Sequence, residues 1–86
     1  MEIIYSSKFA REYRKLPQNI KLIAEKQEVI FRLKPFDPQL KSHKLHGKLK
    51  EFWSLSIDGK YRIIFEFSKN KDIFYFHSVG NHDIYQ

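Results

Sequence analysis

EFWSLSIDGKYRIIFEFS, residues 51–68, reads as a β-hairpin. Aromatic and β-branched side chains dominate both halves, and Asp58-Gly59 marks the turn between them. A two-residue turn would pair Leu55 with Arg62 and Ser54 with Ile63, mixing polar and apolar residues on both faces. A three-residue loop, Ile57-Asp58-Gly59 with Gly59 in the left-handed conformation, pairs Ser56 with Lys60 and Ser54 with Arg62 instead. Trp53, Leu55, Tyr61, Ile63, Phe65 and Phe67 then share one face. A slip of one residue sends every side chain to the other side of a sheet, so the segregating register is the expected one. It leaves Ser54, Ser56, Lys60 and Arg62 together on an open face.

Beyond the hairpin, KNK (69–71) separates it from a third run, DIFYFHSVG (72–80), and short connections make an antiparallel meander. Upstream, EIIY (2–5) is a short β-like run, and Ser6 or Ser7 can cap a helix. Phe9, Tyr13 and Leu16 then recur at i, i+4, i+7, and Pro17 stops that helix and can start the next. In the second helix Ile20, Ile23, Gln27, Ile30 and Phe31 form one stripe, with Leu22, Val29 and Leu33 beside it. The helix runs to about Lys34 and ends at PFDP (35–38). The expected fold is a single α+β domain over 1–86, in the order β-α-α-β-β-β. Its two N-terminal helices pack on one face of a small, mainly antiparallel sheet.

Sixteen Lys and Arg against ten Asp and Glu give a net charge of +6, which favours an anionic partner such as nucleic acid. The chain has no cysteine, so disulfides and thiolate metal sites are excluded, and its core must come from its 14 aromatic and its aliphatic residues. MEIIYSSKFAREY at the N-terminus has an acid at position 2 and only a four-residue apolar stretch, unlike a secretory leader. No run approaches the roughly 18 apolar residues of a membrane span. The expected location is the cytoplasm, with no membrane partner.

Candidate chemistry gathers in the second half. QLKSHKLHGKLK (39–50) holds four lysines, two histidines and no acid, in a stretch expected to lie outside the core. A basic loop of this kind is often only solvated. Near it fall Arg62, beside Lys60, and the C-terminal His82 and Tyr85. A guanidinium can hold a phosphate through two hydrogen bonds, and histidine exchanges protons near neutral pH. His77, inside a strand, reads as structural. His43-x-x-His46 is a poor metal pair without an acid cluster or a helical setting, and no metal or other cofactor is expected. No Gly-rich phosphate loop, nucleophile elbow or paired carboxylates point to nucleotide, ester or glycoside hydrolysis. Basic side chains with neutral-pH histidines suit RNA, whose 2′-hydroxyl is its own nucleophile: a base takes its proton, cations hold the phosphate, and an acid protonates the leaving 5′-oxygen.

Three segments carry a family resemblance: SHKLHG (42–47), WSLSIDGKYRIIF (53–65) and VGNHDIY (79–85). With the order β-α-α-β-β-β, the chain resembles the RelE/ParE superfamily of toxin–antitoxin toxins, specifically the RelE- and YafQ-like mRNA interferases. The resemblance implies metal-independent cleavage of mRNA in the ribosomal A site, through attack of the 2′-hydroxyl, and neutralisation by a cognate antitoxin. It implies His43 as a general base, Arg62 as the phosphate-stabilising arginine, His82 as an acid and Tyr85 as a substrate-orienting aromatic. Which of His43 and His82 is the base stays open. Lys44, His46, Lys48, Lys50, Ser54, Ser56 and Lys60 are candidate RNA- or phosphate-binding residues. Ser54 and Ser56 stand where RelE-like toxins place lysines, and Lys60 replaces an acid of YafQ-like members. The alternatives are a ParE-like DNA gyrase inhibitor acting by binding, and a non-catalytic basic RNA-binding module.

Overall fold

The computed structural model describes residues 1–81. Along the chain come β1 (Glu2–Tyr5), α1 (Ser7–Arg14), α2 (Gln18–Leu33), β2 (His43–Lys44), β3 (Trp53–Ser56), β4 (Tyr61–Phe67) and β5 (Ile73–Asn81). The strands form one sheet in the order β1-β5-β4-β3-β2, with β1 parallel to β5 and every other pair antiparallel. The expected α+β layering is present, and β2 adds a short fifth strand at the edge that the sequence reading did not assign.

Local chemistry sets the helix ends. Ser6 is the N-cap of α1: its Oγ accepts from the Phe9 N–H at 2.9 Å and donates to the His77 carbonyl at 2.6 Å. One hydroxyl thus closes the helix start and ties it to β5. At the far end of α2, Lys34 is extended (φ −156°) because the ring of Pro35 disfavours a helical residue before it.

The helices cover one face of the sheet. Phe31 on α2 is fully buried, with the rings of Phe65, Phe74 and Phe76 at 5.2, 5.1 and 5.2 Å in near-perpendicular contact. Burying such a ring contributes about 2–3 kcal/mol, and the edge-to-face geometry adds to it. Phe9, Leu16, Ile20, Ala24, Leu55, Ile63 and Val79 complete this core. The second stripe of α2 does not join it: Leu22, Val29 and Leu33 point outward and are 53%, 59% and 83% exposed.

The hairpin departs from the expected register. Ser56 pairs with Arg62, Leu55 with Ile63, Ser54 with Ile64 and Trp53 with Phe65. Asp58 decides this, because its Oδ1 accepts the N–H groups of both Lys60 and Tyr61 at 2.8 Å. Ile57 N–H then donates to the Tyr61 carbonyl at 2.9 Å, and the loop is Asp58-Gly59-Lys60. Gly59 is not left-handed; among the described residues the positive φ values fall at Lys41, Gly47 and Lys71. The observed register differs from the expected one by two residues. Side-chain alternation has period two, so the segregation of faces survives.

The second face is not open throughout. Ser54 is 0% and Ser56 7% exposed, which corrects the expectation that both lie on open surface. The reason is the 39–50 segment, expected to lie outside the core. Leu45 N–H donates to the Phe52 carbonyl at 2.9 Å, continuing the β2–β3 ladder. Leu45 and Phe52 thereby fall on the face of His43 and Ser54. Leu45 is buried there, as are Ile64 and Ser78, and Phe52 packs on the His77 ring at 4.9 Å. His77 is the extra residue of a bulge in β5, between the Ile64–Ser78 and Phe65–Phe76 pairs. Leu40, in the same basic segment, enters the main core.

Candidate active site

Arg62 lies in the row Ser56–Arg62–Gly80 of the second face. Its Nη1 donates to the Asp58 carbonyl at 2.7 Å, to Ser56 Oγ at 3.1 Å and to the Tyr61 carbonyl at 3.2 Å. These contacts fold the guanidinium over the hairpin turn. Among the described residues, the hydrogen bonds of this side chain pass through Nη1 and leave Nη2 and Nε as donors. The Asp58 carboxylate completes the turn, and the N–H groups of Tyr61 and Lys60 hold its pKa below the ordinary carboxylate range.

His43 belongs to the neighbouring row, opposite Ser54, with Ile64 and Ser78 beyond. Strand spacing places its Cα about 12 Å from that of Arg62 on the same face. It is exposed, and its Nδ1 lies 3.2 Å from the Lys41 carbonyl. In the neutral tautomer that fits this contact, Nδ1 carries the hydrogen and Nε2 the lone pair. A basic nitrogen and a held guanidinium thus share one sheet face.

The other candidates are placed as follows. Lys44 is opposite Trp53, so strand alternation sends it to the helix-facing side, away from Arg62. His46, Lys48 and Lys50 are exposed around the 3-10 turn Gly47–Leu49, beyond the end of β2. Lys60 is exposed in the hairpin loop. Ser54 and Ser56 are buried beneath the site, and Ser54 Oγ has no hydrogen-bond partner among the described residues. His82 and Tyr85 lie outside the described residues, as does Asp83.

Two contributors were not singled out in the sequence. Asp58 shapes the turn under Arg62; its place before Gly59 in a hairpin signals this kind of side-chain capping. Gln27 donates from Nε2 to the Ser56 carbonyl at 2.8 Å. A polar residue inside an apolar helix stripe was the only available signal. A cleft of about 430 Å³ lined by Tyr5, Phe9, Ala10, Tyr13, Arg14 and Glu28 lies on the helix side and includes neither Arg62 nor His43. The site is instead an open face, a shape that suits an extended polymer.

Comparison with known proteins agrees with this architecture. A family model described as "RelE-like toxin of type II toxin-antitoxin system HigB" matches residues 7–78. No curated protein sequence matches the chain. Among solved structures, a YoeB/ParE toxin from Agrobacterium tumefaciens superposes with a TM-score of 0.79 at 15% identity, covering 95% of this chain and 99% of that one. The archaeal RelE–RelB complex from Pyrococcus horikoshii gives 0.75 at 13% identity, covering 96% of each chain. The DinJ–YafQ toxin–antitoxin complex of E. coli gives 0.65 at 20% identity, covering 95% and 92%. Two of these neighbours were solved as complexes, one of them described as toxin–antitoxin.

Proposed function

From the premise that the chain belongs to the HigB-like, RelE-related toxins of type II toxin–antitoxin systems, we propose that it is a metal-independent endoribonuclease. It cuts mRNA in the ribosomal A site of the cytoplasm and is held inactive by a cognate antitoxin. The observation that carries this reading is the anchored guanidinium of Arg62 on the same sheet face as His43.

In the proposed reaction the 2′-hydroxyl attacks the adjacent phosphate. The P–O bond to the next nucleotide's 5′-oxygen breaks, leaving a 2′,3′-cyclic phosphate. His43 Nε2 takes the 2′-hydroxyl proton, while Nδ1–H stays bonded to the Lys41 carbonyl. Arg62 offers Nη2 and Nε to the phosphate oxygens as negative charge builds. His82 is the proposed acid at the leaving 5′-oxygen and Tyr85 the proposed platform for a base. His46, Lys48, Lys50 and Lys60 draw the RNA backbone to the site, with Lys44 adding charge from the other side. Ser54 and Ser56, being buried, act from beneath rather than by direct phosphate contact. Among the described residues no helix is long and apolar enough to cross a membrane.

The test is translation of a defined mRNA by purified ribosomes, followed by mapping of RNA ends. Wild-type protein is expected to cut within codons and leave cyclic phosphate ends. Arg62→Ala and His43→Ala are expected to leave the message intact while retaining the native circular dichroism spectrum. Uncut mRNA alongside arrested DNA supercoiling would support a gyrase inhibitor instead.

A further inference from the structure

We infer that Ser56 is a positioning residue for Arg62. Its hydroxyl fixes the angle at which the guanidinium meets a phosphate. This rests on the reading of Arg62 as the phosphate-binding group.

Three contacts of Ser56 support the assignment. Its Oγ donates to the Asp58 carbonyl at 2.7 Å, so the hydroxyl hydrogen is spent and a lone pair is turned toward Arg62. Arg62 Nη1 donates to that oxygen at 3.1 Å and to the same Asp58 carbonyl at 2.7 Å. Serine, carbonyl and guanidinium therefore close a small ring, in which rotation of any member breaks two contacts. The third contact holds the serine itself. The Ser56 carbonyl lies on the edge of β3 past the last residue paired with β2, and Gln27 from α2 donates to it at 2.8 Å. Helix, strand and turn thus converge on one arginine nitrogen.

An arginine with all five donors in solvent samples many rotamers and loses that freedom only when substrate binds. Here Nη1 is committed beforehand, and Nη2 and Nε are held for the ligand. Preorganised donors are worth more than mobile ones at the point where charge develops. A hydroxyl of this kind at residue 56 has no need to touch RNA. Its burial (7% exposed) fits a supporting role.

The variants are Ser56→Ala, Ser56→Thr and Arg62→Ala, read in two ways. In ribosome-dependent cleavage, Ser56→Ala is expected to lower kcat by about 10- to 100-fold with little change in KM, the scale expected for a misplaced catalytic group. Ser56→Thr, which keeps the hydroxyl, is expected to return most of that loss. Independently of activity, nitrogen-15 NMR of the arginine side chains should show slowed rotation about the Arg62 Cζ–Nη1 bond in wild type. Faster rotation is expected in Ser56→Ala, where only the Asp58 and Tyr61 carbonyls still accept from Nη1, and slow rotation again in Ser56→Thr. Ser56→Cys keeps the volume with a weaker acceptor and gives a second reading if the alanine variant misfolds. Full activity of Ser56→Ala beside an inactive Arg62→Ala would overturn the inference. Full activity of Arg62→Ala would overturn the catalytic reading beneath it. Unchanged rotation in Ser56→Ala overturns the positioning claim in either case.

Discussion

Gln27 donates its side-chain amide to the Ser56 carbonyl across 2.8 Å, joining the inner face of α2 to β3. Strand β2 is too short to reach this carbonyl, since its last pairing is His43 with Ser54. The amide takes the place of a missing ladder bond. Gln27→Leu is expected to leave the carbonyl without its partner and cost about 1–2 kcal/mol. Urea unfolding followed by tryptophan fluorescence measures this, and an unchanged midpoint would count against it.

Phe31 is the ring on which the sheet closes. Phe31→Ala removes its contacts with Phe65, Phe74 and Phe76 at once. The expected loss is about 3–5 kcal/mol, enough to unfold a domain of this size at physiological temperature. A cooperative melting transition near the wild-type temperature would contradict the packing described.

The outer stripe of α2 makes the opposite prediction. Val29 and Leu33 are 59% and 83% exposed. Val29→Lys and Leu33→Lys are expected to change stability by no more than about 0.5 kcal/mol. A loss of several kcal/mol in either variant would show that this face is covered in the isolated protein.

Asp58 links the turn to pH. Its folded-state pKa lies below the unfolded value because two backbone N–H groups stabilise the carboxylate. Its ionic contribution is therefore fully present above the unfolded value of 3.8 and is lost as pH falls through the folded one. The stability difference between wild type and Asp58→Asn should be constant from neutral pH down to about pH 5 and shrink below about pH 4. Denaturant titrations across that range test it, and a difference that widens on acidification would reverse the assignment.

Tyr5 and Tyr13 bracket the alkaline side. Burial raises both phenol pKa values, and Tyr5 is raised further by its hydrogen bond to Glu28 at 2.6 Å. Stability from these groups is complete below about pH 10 and is lost as pH rises through the folded-state values. Ultraviolet titration should show a late-ionising component that diminishes in Tyr5→Phe.

How much of this was legible in the sequence depends on the kind of interaction. Period-two and period-3.6 patterns gave the helices and the three main strands, because burial of an apolar face needs only local alternation. Arg62 and His43 stood out as candidates by residue type and motif. The hairpin register was not, because one carboxylate accepting two N–H groups at 2.8 Å moved the loop by a residue. Parity protected the facial pattern from that error. The short β2 and the burial of Leu45 were hidden as well. Their segment is polar on average, and only pairing with β3 gives Leu45 a surface to cover.

The sequence by itself determined the layered α+β plan, the basic character and the residue types offered for the candidate site, since these follow from composition, periodicity and motif. Tertiary structure alone decided that Ser56 lies under Arg62, that Gln27 closes a strand edge, and that Leu22, Val29 and Leu33 remain in solvent. The Gln27–Ser56 bond joins groups 29 residues apart, while Ser56 and Arg62, six residues apart, meet through the turn that Asp58 sets. No local pattern encodes such meetings, because their geometry is set only when helix, strand and turn have packed together.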